Sequence, residues 1–169
     1  MTPPYTLGPE DIAIRLAVAA VCGLLIGLDR EIKRKTVGMR PFIIVCVGAA
    51  GFSLLTQDIV HLYSGDLEAK TLQFDPTRII QGIITGIGFL GGGAILSRNG
   101  HVNGAATGAG IWVAGAIGVA AGYGLYWHAG LLTAYVVAIL TVLGVVRVYW
   151  RPDLEDDRGT TVNDPDADK

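Results

Sequence analysis

Three carboxylates stand where charge is costly, at the edges of long apolar runs. Asp29 and Glu31 follow the first run, and Asp75 precedes the third. Hard cations take oxygen ligands, so acidic side chains at the mouths of apolar segments suggest cation binding. A plainer reading stands beside it. Asp75-Pro76 has the form of an N-cap followed by proline at the first helical position. Asp29, Arg30 and Glu31 open the segment DREIKRKTVGMR, residues 29–40, with five basic and two acidic side chains. Such a segment is a polar helix end whose cations meet anionic lipid. That accounts for the basic residues better than for the two carboxylates, so ion binding or a partner contact stays open. An Asp75–Arg15 or Asp11–Arg78 pair could also fix helix ends.

Other chemistries find less support. Gly86 to Gly91 matches GxGxxG, but a dinucleotide site needs a preceding strand and an exposed helix N-terminus, and this match lies inside an apolar run. His61, His101 and His128 fall in separate connections and assemble neither a metal site nor a triad. Ser53, Ser64 and Ser97 lack a nucleophile elbow. Cys22 and Cys46 sit in apolar runs without metal-ligand spacing and read as small packing residues. No ionisable residue lies deep in a run, which argues against a proton relay. The expectation is a non-enzyme with no cofactor. No nucleic-acid partner is expected either, and the formal net charge of −2 conceals a strong segregation of charge along the chain.

Of the 169 residues, 51% are hydrophobic and 17% charged, below the roughly 25% charged content of soluble domains. The mean hydropathy is +0.48. This is the balance of an all-α integral membrane protein, and the pattern predicts five transmembrane helices over residues 12–28, 42–61, 77–96, 104–126 and 129–149. Residues 1–11 form a polar lead-in. It carries no positive charge, so the first run is read as a retained span rather than a cleaved signal. Arg15, near the outer end of that run, is placed to snorkel to the headgroups. Residues 63–74 read as a polar loop. Asn99-Gly100 is a turn that joins two spans rather than two strands, because the flanking runs are too long for a hairpin. Residues 150–169 form an acidic tail without a core pattern, expected to be disordered.

Five spans put the termini on opposite sides. One side carries Arg30, Lys33, Arg34, Lys35, Arg40, Arg98, Arg147, Arg151, Arg158 and Lys169, the other only Arg15, Lys70 and Arg78. The excess of positive charge places the N-terminus outside and the C-terminus in the cytoplasm.

Helices three and four are laced with glycine: 13 of the 24 glycines fall between Gly82 and Gly93 or between Gly104 and Gly124. Glycine costs about 1 kcal/mol relative to alanine in a helix in water, whereas in a bilayer small residues let helices approach closely. Gly23/Gly27, Gly82/Gly86, Gly88/Gly92, Gly104/Gly108 and Gly118/Gly122 each put two small residues on one helix face. Such faces fit close packing within one subunit, a homo-oligomer or partner interface, or a deformable pore-lining surface.

Three motifs together resemble the MgtC/SapB membrane proteins. GLLIGLDREIKRKTVGMRP, residues 23–41, is similar to the family's first signature; Asp75-Pro76-Thr77-Arg78-Ile79 with GIITGIGFLGGGAIL to its second; and VNGAATGAGIWVAGAIGVAAGYG, residues 102–124, to its third. Asp29, Arg30, Glu31, Arg40, Asp75, Arg78, Asn103 and Trp112 are the polar and aromatic positions that carry the resemblance. The third motif departs from the family pattern at Asn103 and Ala105-Ala106-Thr107. The short tail leaves no room for a globular cytoplasmic domain, which puts the chain with the short, SapB-type members. The resemblance implies a bacterial plasma-membrane protein with a five-helix domain. It also implies a link to magnesium limitation and virulence, exerted by modulating other membrane complexes. The expected role is that of a regulatory or accessory protein working through helix contacts with the bilayer, a second membrane protein or its own copies. The alternative is a small oligomeric transporter or channel for a cation such as magnesium, with Asp29, Glu31 and Asp75 as its candidate ligands.

Overall fold

A computed structural model describes residues 7–35, 37–64, 75–98 and 101–150. The described residues form five helices: α1 (Pro9–Ile32), α2 (Met39–Ser64), α3 (Pro76–Gly93), α4 (Ala105–Gly122) and α5 (Tyr126–Trp150). Four of them, α1, α2, α4 and α5, are long and apolar enough to cross a membrane. The fifth falls short of the sequence expectation. α3 has 18 residues, but they include Thr77, Arg78, Gln81 and six glycines, which dilute its apolar character.

The Asn99-Gly100 connection also differs from expectation. It joins two three-residue strands, β1 (Leu96–Arg98) and β2 (His101–Asn103), paired antiparallel with Ser97 opposite Val102. α3 stops at Gly93 after three successive glycines and leaves room for a small hairpin before α4 begins. Most of the polar loop and the acidic tail lie outside the described residues.

α4 is the axis of the bundle. It packs against all four other helices, and 11 of its 18 residues are buried. The side chains facing outward from the axis are mostly small, so its neighbours approach its backbone. A Cβ added at Gly122 would lie 2.5 Å from the Ala50 carbonyl oxygen, and one at Gly118 would lie 2.9 Å from the Ala49 Cβ. Phe42, Ile26, Ile117 and Cys46 fill the remaining space at the α1–α2–α4 junction. A lone glycine costs helix stability in water, but here it lets α2 and α4 meet backbone to backbone, where dispersion contacts accumulate.

Both ends of this core are stopped by left-handed residues. Arg34, at φ 48°, ends α1, with the Lys35 N–H donating to the Arg30 carbonyl and the Arg34 N–H to that of Glu31. Gly124, at φ 74°, ends α4 in the same way, through Leu125 to Ala120 and Gly124 to Ala121. These are Schellman-type stops, and they fix where the charged residues beyond each helix can reach.

Candidate functional site: the charged end of the bundle

Successive residues on a helix point about 100° apart, so Asp29, Arg30 and Glu31 at the end of α1 must address three different neighbours. Asp29 turns to α5: its Oδ1 accepts from the Thr141 hydroxyl at 2.9 Å and pairs with the Lys33 ammonium at 2.6 Å. Lys33 also donates to the Leu140 carbonyl, at 2.8 Å. Arg30 turns to α4, where its Nη2 donates to the Thr107 hydroxyl. Glu31 turns to α2 and accepts the Met39 N–H at 3.1 Å, capping that helix from outside. A side chain at Gly38 would strike this carboxylate.

At this polar end Glu31 and Thr141 are exposed, while Arg30 and Asp29 are shielded. Arg30 is 6% exposed and its Nε has no partner, nor does Asp29 Oδ2. The Asp29 side chain is 8% exposed and that of Lys33 26%. Loss of one partner of such a partly buried pair leaves the other charge stranded. The structure does not bring Asp29, Glu31 and Asp75 together. Among the described residues no group of three or more His, Cys, Asp or Glu side chains converges as a metal site would require.

Asp75 lies elsewhere and is exposed. It caps α3, accepting the Thr77 hydroxyl at 2.6 Å and the Thr77 N–H at 2.9 Å. These two bonds, the hydroxyl first, hold its carboxyl below the usual carboxylate range, and nearby Arg78 acts in the same direction. The outer pairing of Asp75 with Arg15 does not form. Arg15 also does not reach outward. Its Nη1 donates to Gln57 Oε1 at 3.0 Å and to the Gly122 carbonyl at 2.8 Å, while Gln57 Nε2 donates to the same carbonyl at 2.9 Å. The α4 C-terminus carries partial negative charge and unsatisfied carbonyls, and it draws in the guanidinium that sequence reasoning sent to the headgroups.

The glycine faces divide into two groups. Gly23 and Gly27 meet the start of α2, with an added Cβ 2.8 Å from the Ile43 Cα and 2.5 Å from the Met39 Cα respectively. Gly108 meets the backbone of Gly91 on α3, and Gly118 and Gly122 meet α2. Gly104, at φ 87°, turns the chain into α4, and a side chain there would hit the Ala94 carbonyl. In contrast, Gly82, Gly86, Gly88 and Gly92 have no atom within 4 Å of an added Cβ. They open outward from α3, together with Phe89, which is 82% exposed. The GxGxxG stretch lies wholly within α3.

Of the remaining positions, Arg40 and Arg78 are exposed near the starts of α2 and α3, and Trp112 is 48% exposed on α4. Asn103 lies in β2. Cys22 and Cys46 are both buried, and the Cys46 thiol donates to the Ala114 carbonyl at 3.1 Å. Thr107, Thr141, Gln57 and Gly91 were missed by sequence reasoning. Thr107, Thr141 and Gln57 are inconspicuous residues in apolar runs whose only sequence signal is that a charge elsewhere needs a partner, and Gly91 is one glycine among many, with nothing to single out its contact with Gly108.

A family model for MgtC matches residues 16–149, from the first turns of α1 to the end of α5. The chain belongs to the MgtC family. It is 38% identical over 128 residues to the MgtC protein of Brucella abortus (strain 2308), covering 76% of this chain and 49% of that one. It is 35% identical over 116 residues to "Putative magnesium transporter YhiD" of Escherichia coli (strain K12), covering 69% and 53%. It is 33% identical over 120 residues to the SapB protein of Bacillus subtilis (strain 168), covering 70% and 50%. The chain thus spans about half the length of these MgtC-family relatives. No solved structure matches it. Within the matched region lie both the charged end of α1 and the open glycine face of α3.

Proposed function

We propose that this MgtC-family chain is a non-enzymatic regulatory or accessory protein of the bacterial plasma membrane. It acts by docking the open face of α3 on a second membrane protein, in a setting of magnesium limitation. The observation that carries this reading is the split among the glycines. Those on α1 and α4 are consumed by contacts inside the subunit, while Gly82, Gly86, Gly88 and Gly92 meet nothing within it. In lipid there is no hydrophobic drive between helices, so a glycine face gains most from another helix laid directly against it. The charge asymmetry supports an orientation with the N-terminus outside and the C-terminus in the cytoplasm.

The name of the E. coli relative favours the rival reading, a magnesium transporter. Against it, the axis of the bundle is filled by α4, and Asp29 and Glu31 are spent on Lys33, Thr141 and the Met39 N–H. The two readings separate in one pair of measurements. A photo-crosslinker at position 86 in native membranes should capture a discrete protein adduct that one at Trp127, which is 84% exposed on α5, does not. Equal labelling at both positions, with magnesium flux into liposomes by the purified protein, would refute the accessory role.

A further inference from the structure

We propose that the start of α4 and the buried guanidinium of Arg30 together bind a phosphate oxyanion. This goes beyond the α3 reading and does not depend on it. The first N–H groups of a helix have no partner within it, and they carry the positive end of the helix dipole. At α4 nothing in the chain's own first turn answers that charge. Its N-cap is Gly104, which offers no side-chain acceptor, and no acidic residue lies in the first turn. Ala105 and Ala106 are exposed, so the start of the helix opens to the surface.

Arg30 is the second observation. It is 6% exposed, reaches the first turn of α4 through Thr107, and has an Nε without a partner. A full positive charge is therefore directed at the positive end of a helix dipole, a repulsive arrangement for the protein alone. No carboxylate hydrogen-bonds Arg30: Glu31 accepts the Met39 N–H and Asp29 Oδ1 serves Lys33 and Thr141, so the adjacent Asp29 charge offsets the guanidinium only in part. An anion between Arg30 and the α4 N-terminus converts the repulsion into two attractions. The donors come from a guanidinium, backbone N–H groups and the Thr107 hydroxyl. Backbone N–H groups at a helix start combined with a guanidinium are a donor set that recurs at phosphate sites. The guanidinium fork is itself matched to phosphate oxygens.

That phosphate has two sources, a lipid headgroup or free phosphate in the surrounding water, and the test distinguishes them. The full chain is placed in phosphatidylcholine nanodiscs and titrated with inorganic phosphate by calorimetry. In parallel, native mass spectrometry compares retention of phosphatidylglycerol and phosphatidylcholine. Heat from phosphate alone assigns free phosphate, and selective phosphatidylglycerol retention alone assigns the headgroup; both signals together also support the site. Arg30→Gln should weaken either signal at least about ten-fold. Ala105→Asp, at an exposed position where folding is not at risk, should do the same by placing a tethered carboxylate at the helix start. Absence of both signals from the unaltered chain, or retention of the signal by either variant, overturns the site.

Discussion

Alanine at Gly118 and alanine at Gly86 should have opposite effects, although both replace a glycine in an apolar helix. A Cβ at position 118 would sit 2.9 Å from both the Cys46 carbonyl carbon and the Ala49 Cβ, and closer still to the Cys46 oxygen. Ordinary contact needs about 3.4 Å or more, so relieving the contact with the Cys46 oxygen requires α2 and α4 to separate by about an ångström or bend. The obstacle is largely backbone, so no rotamer change relieves it. Overpacking of this kind costs about 1–3 kcal/mol. Helix propensity returns at most about 1 kcal/mol at either site. The net expectation is a loss of about 1–2 kcal/mol for Gly118→Ala, and a change between zero and a gain of about 1 kcal/mol for Gly86→Ala, where the added Cβ meets open space. The difference, about 1–3 kcal/mol, corresponds to at least about a five-fold shift in the unfolding equilibrium. Steric-trap unfolding in bicelles can measure it directly. Equal effects of the two substitutions would refute the claim that α2 and α4 meet at their backbones.

Three further predictions follow from the polar contacts. Lys33→Met should destabilise by roughly 3 kcal/mol, the low end for a broken buried pair because Lys33 is partly exposed, whereas Asp29→Asn combined with Lys33→Met should recover most of that loss; a double-mutant cycle in unfolding experiments measures the coupling. Gln57→Leu should cost about 1–2 kcal/mol, because the half-buried Arg15 guanidinium then keeps only the Gly122 carbonyl, and chemical unfolding followed by tryptophan fluorescence reads the change. The Asp75 cap has a depressed carboxyl, so its contribution is complete above the ordinary carboxylate value of about 3.9 and is lost as pH falls through the lower folded value. The amide resonance of Thr77, followed by NMR through that range, should shift in the wild type and stay still in Asp75→Asn.

The apolar run lengths mark where the helices lie, and the glycine runs mark α3 and α4 as close-packed. They do not show which glycines face inward. In α3, small residues occur in several registers, so Gly91 contacts α4 while Gly82 and Gly86 do not, with no amphipathic contrast between them. The weak apolar character of α3 was legible in Thr77, Arg78 and Gln81, but the long run that follows masked it. Asp29, Arg30 and Glu31 read as one cluster because adjacency in sequence resembles adjacency in space, and the helix distributes them to α5, α4 and α2. Arg15 was misdirected for a different reason. Its partners, Gln57 and the end of α4, lie 42 and 107 residues away, beyond any local pattern.

Because α4 is the fourth helix to be synthesised and the one against which every other helix packs, the order of synthesis constrains assembly. α1 and α2 contact each other extensively and can associate as they leave the ribosome, but the α2 surface at Ala49, Ala50 and Ser53 stays exposed until α4 arrives. During that interval the nascent chain presents a backbone-accessible slot to the insertion machinery and to neighbouring helices. A chain halted after α3 would therefore carry its least protected surface on α2. Quality control by a membrane protease would be expected to recognise it there, and supplying α4 as a separate fragment should close the slot.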